Sequence, residues 1–145
     1  MNRLLVCLLL LCSAQAFAGV QLREGYIREL PAGQTTSAAF MEIVNDGDAP
    51  VAIIGASAEV AAVAELHTHE HRNGMMRMTQ VKRLEIPAHG RIVLAPGGYH
   101  LMLINLKRTL RAGDQVDIKL FDEKGRFYAA KIPVVKMVGA EHSHH

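Results

Sequence analysis

The sequence has few of the side chains on which many small functional sites depend. It contains 2 cysteines and no tryptophan, and aromatic residues make up only 5% of its 145 residues. Lysines and arginines number 16 and aspartates and glutamates 14, so neither sign of charge dominates. A nucleic-acid partner would require a basic surface with aromatic side chains for stacking, and we therefore expect none.

The N-terminal residues have the pattern of a secretory signal peptide. Arg3 supplies a positive charge, residues 4–11 form an apolar run, and Ala16 and Ala18 are the small residues expected before a cleavage site. We expect a signal peptide at residues 1–18, cleavage after Ala18 and a periplasmic location. A spanning helix needs about 20 apolar residues, so stable membrane insertion is not expected.

Cleavage at this point would remove both cysteines, Cys7 and Cys12. The mature chain would then have no disulfide, no thiolate metal ligand and no cysteine nucleophile. Blue-copper electron carriers are excluded as well, because their strong ligand is a cysteine thiolate. Ser37 and Ser57 have no evident histidine and carboxylate partners, so we expect a binding protein and not an enzyme. A lipoprotein signal at Cys12 is the alternative, although the bulky Leu11 precedes it.

Sustained helical periodicity is also missing, and short segments rich in valine, isoleucine, leucine and alanine alternate with turn signals. This pattern predicts an all-β sandwich or barrel in a single domain at residues 19–136, followed by a flexible histidine-containing tail at residues 137–145. A helical turn is expected only in the alanine-rich piece Gly55–Ala64. The predicted strands, about nine in number, are Gln21–Arg28, Ser37–Asn45, Val51–Ala56, Ala62–His71, Met75–Lys82, Arg91–Leu94, Tyr99–Asn105, Gln115–Phe121 and Arg126–Val134.

A β-hairpin is predicted around Asn73 and Gly74, because Asn-Gly favours a two-residue type I′ turn. In the register that this turn imposes, Arg72 lies opposite Met75. Side chains alternate between the two faces with a period of two, so one face collects metal-binding groups. That face carries His67, His69, His71, Met76 and Met78, with His69 opposite Met78 and His71 opposite Met76.

Another predicted strand presents His100 and Met102 on one face. Thioether sulfur is a soft, neutral ligand that selects Cu(I), and imidazole also binds copper. Methionine cannot form disulfides, so this pair of ligand types suits Cu(I) in an oxidising compartment. Because histidine and methionine occur together on the hairpin and again on this further strand, we interpret four residues as a metal site: His67, Met78, His100 and Met102. Three other methionines, taken singly, are interpreted as core residues: Met41, Met75 and Met76.

The spacing of the four candidate ligands resembles a family signature. Ten residues separate His67 from Met78, twenty-one separate Met78 from His100, and one separates His100 from Met102, which gives H-x10-M-x21-H-x-M. The flanking segment Leu94–Leu103, LAPGGYHLML, fits the same family. The chain resembles the periplasmic copper chaperones of the PCuAC family over essentially the whole predicted domain.

The resemblance implies a cupredoxin-like, Greek-key β-sandwich that binds one Cu(I) per chain through His67, Met78, His100 and Met102. It also implies a role in copper homeostasis and in delivering copper towards the copper centre of cytochrome c oxidase, directly or through a Sco-type thiol protein. The expected partner is therefore a copper-accepting protein, and the chaperone itself is expected to be a monomer.

Several further side chains are auxiliary metal candidates. His69, where many relatives have methionine, lies opposite Met78 in the predicted register and would compete with His67 for the ion. His71 and Met76 lie on the same predicted face. A histidine-rich terminus can bind Cu(II) with little structure, so we expect a second, weaker Cu(II) site in the tail. Its candidate ligands are His142, His144 and His145.

Two alternative functions remain open from the sequence. A periplasmic zinc-binding protein or hydrolase would use His67, His69 and His100, with water as the fourth ligand, but it would leave the methionines unexplained. In a structural or adhesion β-sandwich, the histidines and methionines would be incidental and would bind no metal. Metal preference separates the three functions, because only the chaperone requires Cu(I).

Overall fold

The computed structural model describes residues 19–136, so the predicted signal peptide at 1–18 and the predicted tail at 137–145 lie outside the described residues. In the described range there is no helix long and apolar enough to cross a membrane. The strands are β1 (Val20–Arg28), β2 (Thr36–Asn45), β3 (Val51–Ala58), β4 (Ala61–Arg72), β5 (Met75–Gln80), β6 (Leu84–Ile86), β7 (Gly90–Leu94), β8 (His100–Leu106), β9 (Gln115–Asp122) and β10 (Phe127–Val135).

The all-β prediction is confirmed, and each predicted strand overlaps an observed one. Strand β6 was not predicted, because its three residues Leu84–Ile86 are too few for an alternating pattern to be recognised. The helical turn expected in Gly55–Ala64 was wrong. Ala56 pairs with Leu120 of β9 and with Ala64 of β4, so strand pairing overrides the local helix propensity of the alanines.

The strands form one hydrogen-bonded path in the order β5-β4-β8-β2-β1-β10-β9-β3-β6, with β7 paired to β2 beside β8. An additional pairing of β3 with β4 joins the path back on itself. The strands from β4 round to β3 therefore form a closed, barrel-like sandwich in which most sheet edges are paired. Strand β1 is parallel to β10, whereas the other pairings are antiparallel. This is the predicted cupredoxin-like architecture.

The interior is aliphatic and follows the two-residue alternation of the strands. In β9, Val116, Ile118 and Leu120 are fully buried and the residues between them are exposed. In β8, Leu101 and Leu103 are likewise 0% exposed. Since successive side chains point to opposite faces, this burial directs the other residues of β8 to the outside of the barrel.

One buried carboxylate organises the β9–β10 connection. Asp122 is only 2% exposed, and its Oδ1 accepts hydrogen bonds of 2.9 Å from the backbone N–H groups of Lys124 and Arg126. Its Oδ2 accepts 2.7 Å bonds from Arg126 Nε and the Tyr128 hydroxyl. Burial alone would raise the pKa of Asp122, but these hydrogen bonds outweigh it and lower that pKa to about 2.

We expect Asp122→Asn to reduce stability at pH 7 by about 2 kcal/mol, because the ionised carboxylate is bound more favourably in the folded state. In the parent, the unfolded side chain binds a proton more readily, so this contribution is lost as pH falls from about 4 towards 2. Denaturant unfolding of both proteins across this range measures the effect. Asp117→Asn is the control, because Asp117 forms an exposed ion pair with Lys131 that contributes little. An acid-stability profile in Asp122→Asn equal to that of the parent would contradict the assignment.

Candidate metal centre

The β4–β5 hairpin has the predicted turn and register. Asn73 and Gly74 have φ values of 52° and 73°, as a type I′ turn requires. Glycine adopts this conformation without strain, which explains its place at the second turn position. The cross-strand pairs are those expected from the sequence: Arg72 with Met75, His71 with Met76, His69 with Met78, and His67 with Gln80.

Strand β8 brings the second pair of candidate ligands to the same surface. It pairs with the other edge of β4, which sets His100 opposite His67 and Met102 opposite Glu65. Leu66 and Leu101 are buried in the core, so the neighbouring His67 and His100 point to the opposite face. The two predicted faces therefore belong to one continuous sheet surface.

The side chains on this surface lie close together. The ring centroids of His67 and His100 are 6.1 Å apart, and those of His69 and His100 are 5.2 Å apart in a stacked arrangement. Met78 and Met102 line one shallow pocket with His69 and His100, whereas His67 borders it through its contact with His100. The other walls of the pocket are Arg28, Ala38, Phe40, Pro96 and Gly97.

In both His67 and His100, one ring nitrogen forms a hydrogen bond and the other has no hydrogen-bond partner. The Nδ1 of His100 lies 3.0 Å from the carbonyl oxygen of Gly98, to which it donates. The Nε2 of His67 lies 2.9 Å from Glu65 Oε2 and donates to that carboxylate. The remaining Nδ1 of His67 is buried and has no hydrogen-bond partner. This arrangement is typical of metal-binding histidines, which usually donate their second N–H to a carboxylate or a backbone carbonyl.

Glu65 is a site residue that the sequence analysis missed. The sequence analysis assigns it no role. The signal was present, because Glu65 and His67 are two residues apart on one strand and must share a face. Its carboxylate fixes which nitrogen of His67 carries the proton, and it leaves the other nitrogen as a lone-pair donor.

The auxiliary candidates are distributed unevenly. His69 reaches the pocket, whereas His71 and Met76 lie further out and are exposed. Met41 is 2% exposed, as predicted for a core residue, but the same interpretation of Met75 and Met76 was wrong, because they are 58% and 61% exposed. Within residues 19–136, nothing packs over the edge strand β5 to bury them. The tail candidates, His142, His144 and His145, lie outside the described residues.

The donor set restricts the metals that this surface can bind. Across residues 19–136, no group of three or more histidines, cysteines, aspartates or glutamates is arranged to hold a metal ion. The neighbouring thioethers are the further donors available to a metal that His67 and His100 would hold. Soft, neutral sulfur with imidazole fits Cu(I) and is a poor donor set for Zn²⁺, Mg²⁺ or Ca²⁺.

Solved structures share this fold. The copper-bound PCuAC domain from PmoF2 and the apo PCuAC domain from PmoF1 are each 20% identical to this chain, with TM-scores of 0.66 and 0.68. They cover 81% of this chain, which covers 93% and 94% of theirs. The Cu(I) form of DR1885 from Deinococcus radiodurans is 31% identical, with a TM-score of 0.64, over 89% of this chain and 85% of that one.

Sequence comparisons identify the family. The LpqE-like family pattern matches residues 20–134. A protein of Leifsonia xyli subsp. xyli named "Putative lipoprotein Lxx21020" is 32% identical over 127 residues, which is 87% of this chain and 75% of that protein. The resemblance to PCuAC proteins drawn from the ligand spacing is confirmed by these matches together with the shared fold. The chain therefore belongs to the LpqE-like family, which is of the PCuAC type.

Proposed function

We propose that this protein is a copper chaperone of the cell envelope that binds one Cu(I) ion through His67, Met78, His100 and Met102. One observation carries the proposal. Two histidines with a single free ring nitrogen each lie on the same surface as two thioethers, and a buried nitrogen of His67 has no other partner. A structural or adhesion domain would have no reason to leave that nitrogen unsatisfied, since this costs about 1–3 kcal/mol.

Copper in its monovalent state is the ion that matches this chemistry. Thioether ligands select Cu(I), and the related DR1885 has been solved in a form described as CuI-DR1885. The lipoprotein names in the family support a location outside the cytoplasm, where methionine is a safer ligand than cysteine. We assign the protein a binding role without catalysis. The zinc alternative is less well supported, because the three histidines on which it relies do not form a metal-holding group within residues 19–136.

His69 is assigned an auxiliary role. It stacks on His100 at 5.2 Å and lies opposite Met78, so its ring can shield the ion from solvent or replace one ligand during transfer. His67 is preferred as the resident ligand, because Glu65 orients its ring. A carboxylate partner also raises the basicity of a ligating imidazole.

Loss of one thioether should weaken copper binding. We expect Met78→Leu or Met102→Leu to reduce the affinity for Cu(I) by at least about tenfold, equivalent to about 1.4 kcal/mol. Competition with a chromophoric Cu(I) chelator under anaerobic conditions measures this affinity. Met75→Leu is the matched control, since Met75 is exposed to a similar degree as Met78 and lies on the opposite face of the same strand. Equal affinities in all three variants would rule out thioether ligation.

Removal of the carboxylate behind His67 should also weaken binding. We expect Glu65→Ala to reduce Cu(I) affinity by about tenfold, as is common when the partner of a metal-binding histidine is lost. Imidazole ¹⁵N NMR should show that the His67 ring no longer holds its proton on Nε2. Glu70→Ala is the control, because the exposed Glu70 lies on the other face of β4. If Glu65→Ala leaves both the His67 tautomer and the Cu(I) affinity unchanged, Glu65 has no role in the site.

Delivery to a copper-accepting protein completes the proposal. Met78 is 50% exposed, so an acceptor thiolate can approach the ion and displace the weak neutral ligands one at a time. A copper-binding subunit of cytochrome c oxidase, or a Sco-type thiol protein that serves it, is the proposed acceptor, and the chaperone acts as a monomer. The histidines of the tail are proposed to bind Cu(II) as a separate, weaker site.

The order of ligand displacement is open to measurement. We expect stopped-flow transfer of Cu(I) to a reduced Sco-type dithiol domain to be severalfold faster from Met78→Leu than from the parent, because one bond to the ion is already missing. Met75→Leu should transfer at the parental rate. Transfer rates that are the same in Met78→Leu and Met102→Leu as in the parent would refute a thioether-first mechanism.

A further inference from the structure

The tip of the β4–β5 hairpin extends beyond the rest of the sheet. Strand β4 pairs with β8 from Ala61 to His67, and with β5 from His67 to Arg72. In the described part of the chain, residues 68–72 therefore pair only with β5, and β5 pairs only with β4. We call this two-stranded extension, residues 68–80, the arm. Every residue of β5 is exposed, so packing in the core does not determine which side chains the arm carries.

The two faces of the arm differ in chemistry. The face that continues from the copper site carries histidine and methionine in cross-strand pairs: His69 with Met78, and His71 with Met76. The opposite face carries threonines, charged residues and one methionine: Thr68, Glu70, Arg72, Met75, Arg77 and Thr79. Metal-binding groups are thus concentrated on one face, in line with the site already described.

The pair formed by His71 and Met76 has suitable geometry for a second ion. A two-residue turn is flanked by a hydrogen-bonded pair, here Arg72 with Met75, so the next pair along the hairpin is of the non-hydrogen-bonded type. The side chains of such a pair are the closest across an antiparallel ladder, with Cβ atoms about 4.5–5.5 Å apart. An imidazole nitrogen and a thioether sulfur can therefore converge on one small ion above the strand pair.

Met76 has no packing role in the described part of the chain. Its side chain is 61% exposed, so it stabilises no core, and the hairpin register is fixed by the turn and does not depend on it. A methionine sulfur directly opposite a histidine at an exposed tip is a soft donor pair without a packing role. The His71–Met76 pair lies two residues further along the strands than the His69–Met78 pair, which corresponds to about 7 Å.

We propose that His71 and Met76 form a second, weaker site for a soft monovalent ion, Cu(I), at the tip of the arm. This inference rests on the proposed Cu(I) site formed by Met78 and its neighbours. The tip site has two protein ligands where the inner site has four, so it binds later in a titration and releases its ion first. Cu(I) bound first at the tip site then passes to the inner site by ligand exchange, with no change in oxidation state.

The test is an anaerobic titration of the mature chain with Cu(I), followed through the methionine methyl signals in NMR spectra. The three tail histidines are replaced in every protein used (His142→Ala, His144→Ala and His145→Ala), so that the tail cannot supply a site. The first equivalent should shift the methyl signals of Met78 and Met102. The second equivalent should shift the methyl signal of Met76 and leave that of Met75 unchanged.

Variants separate the tip site from the inner one. Met76→Leu and His71→Asn should each abolish binding of the second equivalent and retain the first, whereas Met75→Leu should retain both. Binding of one equivalent only in the parent, or a second that survives Met76→Leu, would overturn the tip site and leave the inner site intact. Failure of the first equivalent to shift Met78 and Met102 would instead overturn the proposed function itself. His71, Met75 and Met76 are exposed, so the variants at these positions are expected to fold.

Discussion

The antiparallel pairing of β4 with β8 on one edge and β5 on the other is the constraint on which the site depends. A shift of one residue in either register would turn every histidine or methionine of that strand to the opposite face. Two features hold the registers in place. Asn73 and Gly74 form the turn that aligns β5, and the burial of Leu66 and Leu101 in the core aligns β4 with β8. A weak set of neutral ligands is thereby collected on one rigid surface.

The environment of the two histidines gives that surface its chemical character. Glu65 and the carbonyl of Gly98 each accept a hydrogen bond from one imidazole N–H, which leaves the other nitrogen of each ring with a free lone pair. The sulfurs are uncharged and partly open to solvent, so in the proposed function they would bind a soft cation and also allow it to leave. A chaperone needs both properties, since an ion held by buried thiolates would be released slowly to an acceptor.

Stability and binding are located in different parts of the fold. The closed path of strands buries the aliphatic core, and the Asp122 network secures the β9–β10 connection. The arm contributes little to this core, because β5 is fully exposed. Substitutions on the arm are therefore expected to have little effect on folding, and the proposed metal binding there can be tested separately from stability.

The sequence by itself determined the all-β class, the hairpin register and the spacing of four candidate ligands, because turn chemistry and two-residue alternation are local properties. It did not reveal strand β6, the exposure of Met75 and Met76, or the role of Glu65. Nor did it show that β8 lies beside β4, which brings His100 to His67. These features depend on which strands become neighbours and which faces are covered, and contacts between distant segments are decided only when the whole chain has packed.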